Sequence, residues 1–322
     1  VETIGYTSST PRCGRKHASI SLVPRIACTA LPATHSMVAL HDLIAEDAGE
    51  DWMKRESWRP DAIDTKVPSV ARMYDYYLGG DDNYQSDREA CEQLLLQVPS
   101  TKTLAVNNRR FLQRVVRLLA AEYGVRQFID HGSGLPTQDN VHQVAQAVDP
   151  ASRVVYVDND PIVLAHGRAL LEENDRTAVI QADMRDTEAI FGHEETTRLI
   201  DFSQPVAALF VSVMHCIPDE SDPGALVRRV AERLAPGSFL VVCQLVSDRP
   251  EIRKFVTDFM AEATGGHWGR VREEHEVAEY LTGLEILEPG LVEVSTWRPD
   301  SDLAPAQLTD EWIEWGGVAR LP

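Results

Sequence analysis

Asp130-His131-Gly132-Ser133-Gly134-Leu135-Pro136-Thr137 follows an apolar run that ends at Ile129 and precedes a helical pattern. It reads as a glycine-rich turn from a strand into a helix, the place in an open α/β sheet where nucleotide-like cofactors bind. Gly132 and Gly134 lack a Cβ, so the backbone can turn sharply and approach a ligand closely. Two glycines near one acid are weak evidence alone, and their weight depends on what surrounds them.

Short apolar runs at 127–129, 154–157, 178–180, 206–213 and 239–242 alternate with helical stretches at 140–148, 161–173 and 222–234, the last closed by Pro236-Gly237. Strands alternating with helices predict a mostly parallel sheet covered on both faces, a doubly wound, Rossmann-like α/β fold. Further runs at 284–287, 291–294 and 315–319 predict closing strands or a hairpin. Before the sheet, residues 107–123 form an amphipathic helix stopped by Gly124. Arg109, Arg110, Arg114 and Arg117 read as its solvated face. Residues 68–78 are helical up to the Gly79-Gly80 break.

In such a sheet the informative residues are those that immediately follow each strand. They are Asp130, Gly132 and Gly134, then Asp158, Asn159 and Asp160, then Asp183 and Met184, then the residues from Ser212 to His215. Three acids at successive strand ends suit a ligand rich in hydroxyl and amine donors. Asp158 follows Gly134 at close to the roughly 20-residue separation at which an acid receives both ribose hydroxyls. Asp160 before Pro161 is placed to cap the following helix instead. A nicotinamide fingerprint would need glycine where this chain has Thr137. Its absence points to a cofactor without a pyrophosphate, such as S-adenosylmethionine.

The ordered set Asp130-x-Gly132-x-Gly134, Val155-Tyr156-Val157-Asp158, Ala182-Asp183-Met184 and residues 234–240 (Leu-Ala-Pro-Gly-Ser-Phe-Leu) resembles a class I S-adenosylmethionine-dependent methyltransferase. Residues 68–80 (Pro-Ser-Val-Ala-Arg-Met-Tyr-Asp-Tyr-Tyr-Leu-Gly-Gly), Asn108-Arg109-Arg110-Phe111 and Tyr156-Val157-Asp158-Asn159-Asp160-Pro161 are similar, more narrowly, to a largely uncharacterised actinobacterial family of such methyltransferases. The likeness covers residues 53–322. It implies that Gly132, Ser133 and Gly134 border the methionyl part, that Asp158 holds the ribose, and that Asp183 with Met184 flanks the adenine. Asp130, Asn159 and Ser212 complete the expected cofactor set. Pro136 and His131 depart from the commoner pattern. His131 is either a polar pocket wall or a satisfied core histidine.

Residues 53–124 are expected to form a helical cap over a cofactor-binding domain at 125–322. Arg72 could pair there with the methionyl carboxylate, while Tyr74, Tyr76 and Tyr77 read as core, with packing on the cofactor or acceptor as the alternative. Methyl transfer needs an in-line nucleophile and little else, so a base is optional. His215 is the first candidate and Asp75 the second. The strand-four end lacks an acid-Pro-Pro-Tyr signature, which favours a small-molecule acceptor over an amide or nucleobase nitrogen. A non-catalytic S-adenosylmethionine sensor or scaffold and an NAD-dependent oxidoreductase are the rival readings.

Composition bounds the rest. The 31 basic and 50 acidic residues give a net charge of -19, which opposes attraction to phosphate backbones, so no nucleic-acid partner is expected. The 5 cysteines show no Cys-x-x-Cys pair, so neither a zinc site nor a disulfide framework is suggested, and a cytoplasmic location is expected. No apolar run reaches the roughly 18 residues of a membrane span. Residues 1–52, rich in Ser, Thr and Pro at their start and without sustained periodicity, are expected to be a disordered extension, with a transit peptide as the alternative. Nothing in the pattern sets an oligomeric state.

Overall fold

A computed structural model of the chain describes residues 64–137, 139–172, 174–300 and 311–322. The expectations for residues 1–52, and for 53–63 of the N-terminal segment, lie outside the described residues. Three helices come first: α1 (Val70–Leu78), α2 (Gln85–Gln97) and α3 (Thr101–Ala121). The alternating part follows as β1 (Gln127–His131), α4 (Val141–Val148), β2 (Arg153–Asp158), α5 (Pro161–Leu170), β3 (Thr177–Gln181), α6 (Thr187–Gly192), α7 (Glu194–Leu199), β4 (Ala207–Val211), α8 (Pro223–Ala231) and β5 (Phe239–Val246). Then come α9 (Pro250–Ala263), α10 (Glu274–Glu279), β6 (Glu285–Ile286), β7 (Val292–Glu293) and β8 (Ile313–Arg320).

The strands form one sheet in the order β3-β2-β1-β4-β5-β8-β6, with β7 also pairing β8. From β3 to β5 every pairing is parallel, and β8 runs antiparallel to β5 along its whole length, Phe239 opposite Arg320 and Val246 opposite Ile313. The doubly wound fold expected from the alternation is therefore present. Buried apolar side chains pack on both faces of the central strands: Val155, Phe210 and Leu226 belong to one cluster, and Phe111, Val154 and Trp297 to the other. Each such side chain contributes roughly 1.5–3 kcal/mol by leaving water. Strand order reverses between β1 and β4, so the crevice lies beyond their carboxyl ends.

The local signals act as their chemistry requires. Asp160 caps α5 by accepting from the Ile162 amide at 3.0 Å, with Pro161 in the first turn. Gly124 adopts φ +67 just past α3, as a left-handed stop. β4 ends earlier than the apolar run 206–213, because Ser212 takes a left-handed φ of 57. α3 carries a correction. Arg114 is buried, donating Nε to the Trp297 carbonyl at 3.0 Å and Nη2 to the Val294 carbonyl at 2.6 Å, so of the four arginines only Arg110 and Arg117 are exposed. A second layer, the β7 region, covers the face that the periodicity had assigned to solvent.

α1 is fastened over the sheet at its first turn. Ser69 donates its hydroxyl to Asp160 Oδ2 at 2.6 Å, and Arg72 Nε pairs with Asp87 Oδ2 at 2.8 Å. The helix buries Met73 and Tyr77 in a third apolar cluster with Leu94 of α2, Leu104 of α3, Met260 of α9, Trp268 and Trp312.

Candidate active site

The turn after β1 curls back over β2. The amides of Gly132 and Ser133 both donate to the Val157 carbonyl, at 2.7 and 3.1 Å, and the Gly134 amide donates to Asp158 Oδ2 at 2.9 Å. Both glycines have positive φ, +70 and +66, but they differ in surroundings. A Cβ at Gly132 would sit 2.3 Å from Val213 Cγ2 and 2.9 Å from Met184 Cε, so protein packing already excludes a side chain there. At Gly134 a Cβ would meet nothing within 4 Å, which leaves bare backbone facing open space.

That space is a cavity of about 590 Å³ under α1. Its β1–β3 side is lined by Asp130, Gly134, Asp158, Asn159, Asp183 and Met184. Asp130 is buried, and desolvation raises its pKa to about 7; the Asp158 charge adds to this and Arg109 opposes it. Asp158 is raised by burial to about 6, against the amide hydrogen bonds of Asp160 and Gly134. Asp183 is lowered instead, chiefly by its hydrogen bonds from Arg185. Ser133 Oγ is buried in the cavity wall without a hydrogen-bond partner.

The opposite side lies beyond β4, β5 and β8. Ser212, His215, Leu245 and Glu314 line it, with Trp268, Trp312, Met260 and Leu104 as an apolar wall. His215 Nδ1 accepts from the Leu245 amide at 3.3 Å, and its ring lies 4.8 Å from that of Trp268. In the neutral ring this leaves the proton on Nε2, which is then a donor and has no lone pair to take a proton. Burial, with Arg272 adding, lowers its pKa to about 3. The ring stands where the sequence puts it, but its chemistry is that of a donor.

Three other expected site residues are corrected. His131 does not line the cavity: it is fully buried, stacks on Phe210 at 4.4 Å, and burial holds its pKa down at about 4. It occupies the last position of β1, where the next residue, Gly132, makes the turn. Asp75 is also withdrawn, its Oδ2 accepting from the Asp82 amide at 2.9 Å and from Asn83 Nδ2 at 2.8 Å, so it organises the turn after α1. Arg72 does reach the cavity wall, but besides its ion pair its Nη2 donates to the carbonyls of Asp64 and Val67. Its Nε and Nη2 hold the chain over the cavity, so three of its five N–H donors are committed to protein acceptors.

Sequence reasoning missed Arg109, which lines the cavity beside Asp130 and donates from Nη2 to Asn140 Oδ1 at 2.9 Å. It also missed Glu314. A carboxylate inside an apolar, fully covered strand was the available signal, since such residues are rarely buried without a role or partner. Among the described residues no group of acids, histidines and cysteines could hold a metal ion, and no helix is long and apolar enough to cross a membrane.

The sequence model of the S-adenosyl methyltransferase family matches residues 56–322. The chain belongs to this family. A proposed methyltransferase from Thermobifida fusca YX has a solved structure similar to this one, with 40% identity, a TM-score of 0.76, and coverage of 83% of this chain and 99% of that one. A DUF574-family protein from Streptomyces avermitilis MA-4680 is similar at 38% identity and a TM-score of 0.73, over 80% of this chain and 99% of that one. A search of curated proteins finds no match. The enzyme is thus a methyltransferase that uses S-adenosylmethionine. The residues present fit that cofactor: bare backbone at Gly134, an unpartnered Ser133 hydroxyl, and raised acids that gain from donors and positive charge.

Proposed function

We propose that this methyltransferase acts on a small-molecule acceptor bound beside the cofactor in the cavity under α1. The observation that carries this reading is the size and cover of that cavity. At about 590 Å³, roofed by a helix pinned at Ser69 and Arg72, it falls within the roughly 300–1,000 Å³ of small-ligand sites. The net charge of -19 also argues against a nucleic-acid acceptor.

In this reading Asp158 accepts from the ribose hydroxyls, and Asp183 with Met184 flanks the adenine. Gly132, Ser133 and Gly134 border the methionyl part, where Asp130 faces its ammonium. Arg109, which lines the cavity beside Asp130, meets its carboxylate, whereas Nε and Nη2 of Arg72 are taken up by Asp87, Asp64 and Val67. The α1–α2 segment acts as the cap that keeps water from the reacting atoms. When bound, S-adenosylmethionine supplies an electrophilic methyl group on a sulfonium. The chain's part is to hold an acceptor in line with it, a contribution of orientation more than of acid–base chemistry.

Incubating the enzyme with methyl-labelled cofactor and two fractions of a cell extract, small metabolites and macromolecules, tests this. Label is expected in the small-metabolite fraction. Label confined to the macromolecules would contradict the reading.

A further inference from the structure

The β4–β8 side of the cavity carries a hydrogen-bonded run of polar side chains that, Ser212 apart, the cofactor assignments leave unused. Glu314, within β8 and 2% exposed, is at its centre. Its Oε1 accepts from the Ser212 hydroxyl, and its Oε2 lies 3.1 Å from the Cys243 thiol. That thiol is also 3.1 Å from Asn108 Oδ1, and Asn108 Nδ2 donates to the Tyr74 hydroxyl at 2.9 Å. Tyr74 and Asn108 belong to the motifs at 68–80 and 108–111 that no cofactor role explains.

A single S–H cannot donate to Asn108 and Glu314 at once. With Glu314 ionised the thiol donates to the carboxylate, and with Glu314 protonated it turns to Asn108. Either state of the carboxyl is thus provided for. Burial raises its pKa to about 7 against the hydrogen bonds of Ser212 and Cys243, and the charge of Glu293 adds to the rise. His215, its neighbour across Leu245, is no competitor, because its Nδ1 lone pair is engaged. The surrounding wall is apolar and aromatic, from Leu104, Met260, Trp268 and Trp312, and the buried Trp268 Nε1 has no hydrogen-bond partner. A buried donor without a partner beside a cavity asks for a ligand acceptor atom.

We propose that Glu314 is the proton acceptor of the transfer, and that the methyl acceptor is a flat or aromatic small molecule bearing a hydroxyl or N–H group, seated between Glu314 and the Trp268–Trp312 wall. This rests on the small-molecule reading above. The acceptor oxygen or nitrogen uses a lone pair to form its bond to the methyl carbon. The carbon–sulfur bond breaks with its electron pair left on sulfur, giving a neutral thioether, and the acceptor's proton passes to ionised Glu314. The carboxyl then returns it to solvent when product leaves.

The test gives the full chain methyl-labelled S-adenosylmethionine with catechol, phenol and aniline as probes and benzoate as the control without an X–H group at neutral pH. Label is expected on at least one of the three and not on benzoate. Label on benzoate alone, or on none of the three while S-adenosylhomocysteine binds, overturns the proposal; failure of S-adenosylhomocysteine to bind overturns the cofactor reading beneath it. With the accepted probe, Glu314→Gln is expected to lower the rate by about 10²-fold or more and to abolish its rise through pH 7, with S-adenosylhomocysteine affinity unchanged. Glu314→Asp keeps a carboxylate one methylene further back and covers the case in which the glutamine variant does not fold; it is expected to retain the pH dependence at a reduced rate. A wild-type rate and pH profile in Glu314→Gln, or loss of the pH dependence in Glu314→Asp, overturns the proton-acceptor role.

Discussion

The two sides of the cavity are built differently. The β1–β3 side consists of residues at or just past the ends of their strands, Asp130, Gly132 to Gly134, Asp158 and Asp183, each placed by the strand end or the local turn that follows it. The β4–β8 side is assembled from parts far apart in the chain: Tyr74 of α1, Asn108 of α3, Ser212 after β4, Trp268 after α9 and Glu314 of β8. The first side suits a ligand that all members of a family share, held by backbone geometry that tolerates little change. The second suits a ligand that varies, because its walls come from separate elements that can be altered one at a time.

The largest effect expected from breaking the first side is at Gly132. Gly132→Ala combines a left-handed φ, unfavourable for alanine by roughly 1–2 kcal/mol, with an overlap against Val213 of roughly 1–3 kcal/mol. Thermal unfolding should show a clear fall in melting temperature, larger than for Gly134→Ala, where only the first cost applies. Equal falls would mean that the contact with Val213 relaxes freely. Asp158→Ala comes next. Loss of a charge-assisted hydrogen bond of roughly 1.5–3 kcal/mol should weaken S-adenosylhomocysteine by one to two orders of magnitude by calorimetry. Unchanged affinity would remove Asp158 from the ribose.

The two sides share one property, buried acids with raised pKa, and pH probes both at once. Asp130 and Glu314 at about 7 and Asp158 at about 6 hold protons in the fold that the unfolded chain has already released. Where the folded state binds more protons than the unfolded one, stability falls as pH rises. From these groups the ligand-free enzyme is therefore most stable below their unfolded values, near 4, and loses stability as pH climbs toward about 7. Asp130→Asn should flatten that loss in melting curves taken at several pH values. A steeper loss in the variant would contradict the assigned burial. The smallest effect is expected at His215. As a donor and not a base, it should yield less than roughly tenfold in turnover when changed to Gln, where removing a general base would take roughly 10²–10⁴. A loss in that higher range would restore His215 as the base.

How far each side was legible follows from the same contrast. The period of the apolar runs gave the sheet, and an acid or glycine next to a strand end is a local signal that needs no knowledge of the partner elements. Even there, His131 shows the limit: its ring packs on Phe210, a contact that depends on β4 lying beside β1. Glu314 was hidden because the closing strand was expected at 315–319, one residue too late to include it. Arg114 was read as solvated since helical periodicity describes one covered face, whereas the β7 region covers another. Asp75 and Arg72 carry the right chemistry for a site but spend it on Asn83, Asp82 and Asp87, partners that only the turn after α1 brings near.

The division of the cavity is tested most directly by a crystal structure of the enzyme with S-adenosylhomocysteine. The ribose hydroxyls should lie within hydrogen-bond distance of Asp158, with the adenine beside Met184 and the thioether sulfur turned toward Ser212 and Glu314. A nucleoside seated instead between Trp268 and Trp312, with Asp158 unoccupied, would contradict the account.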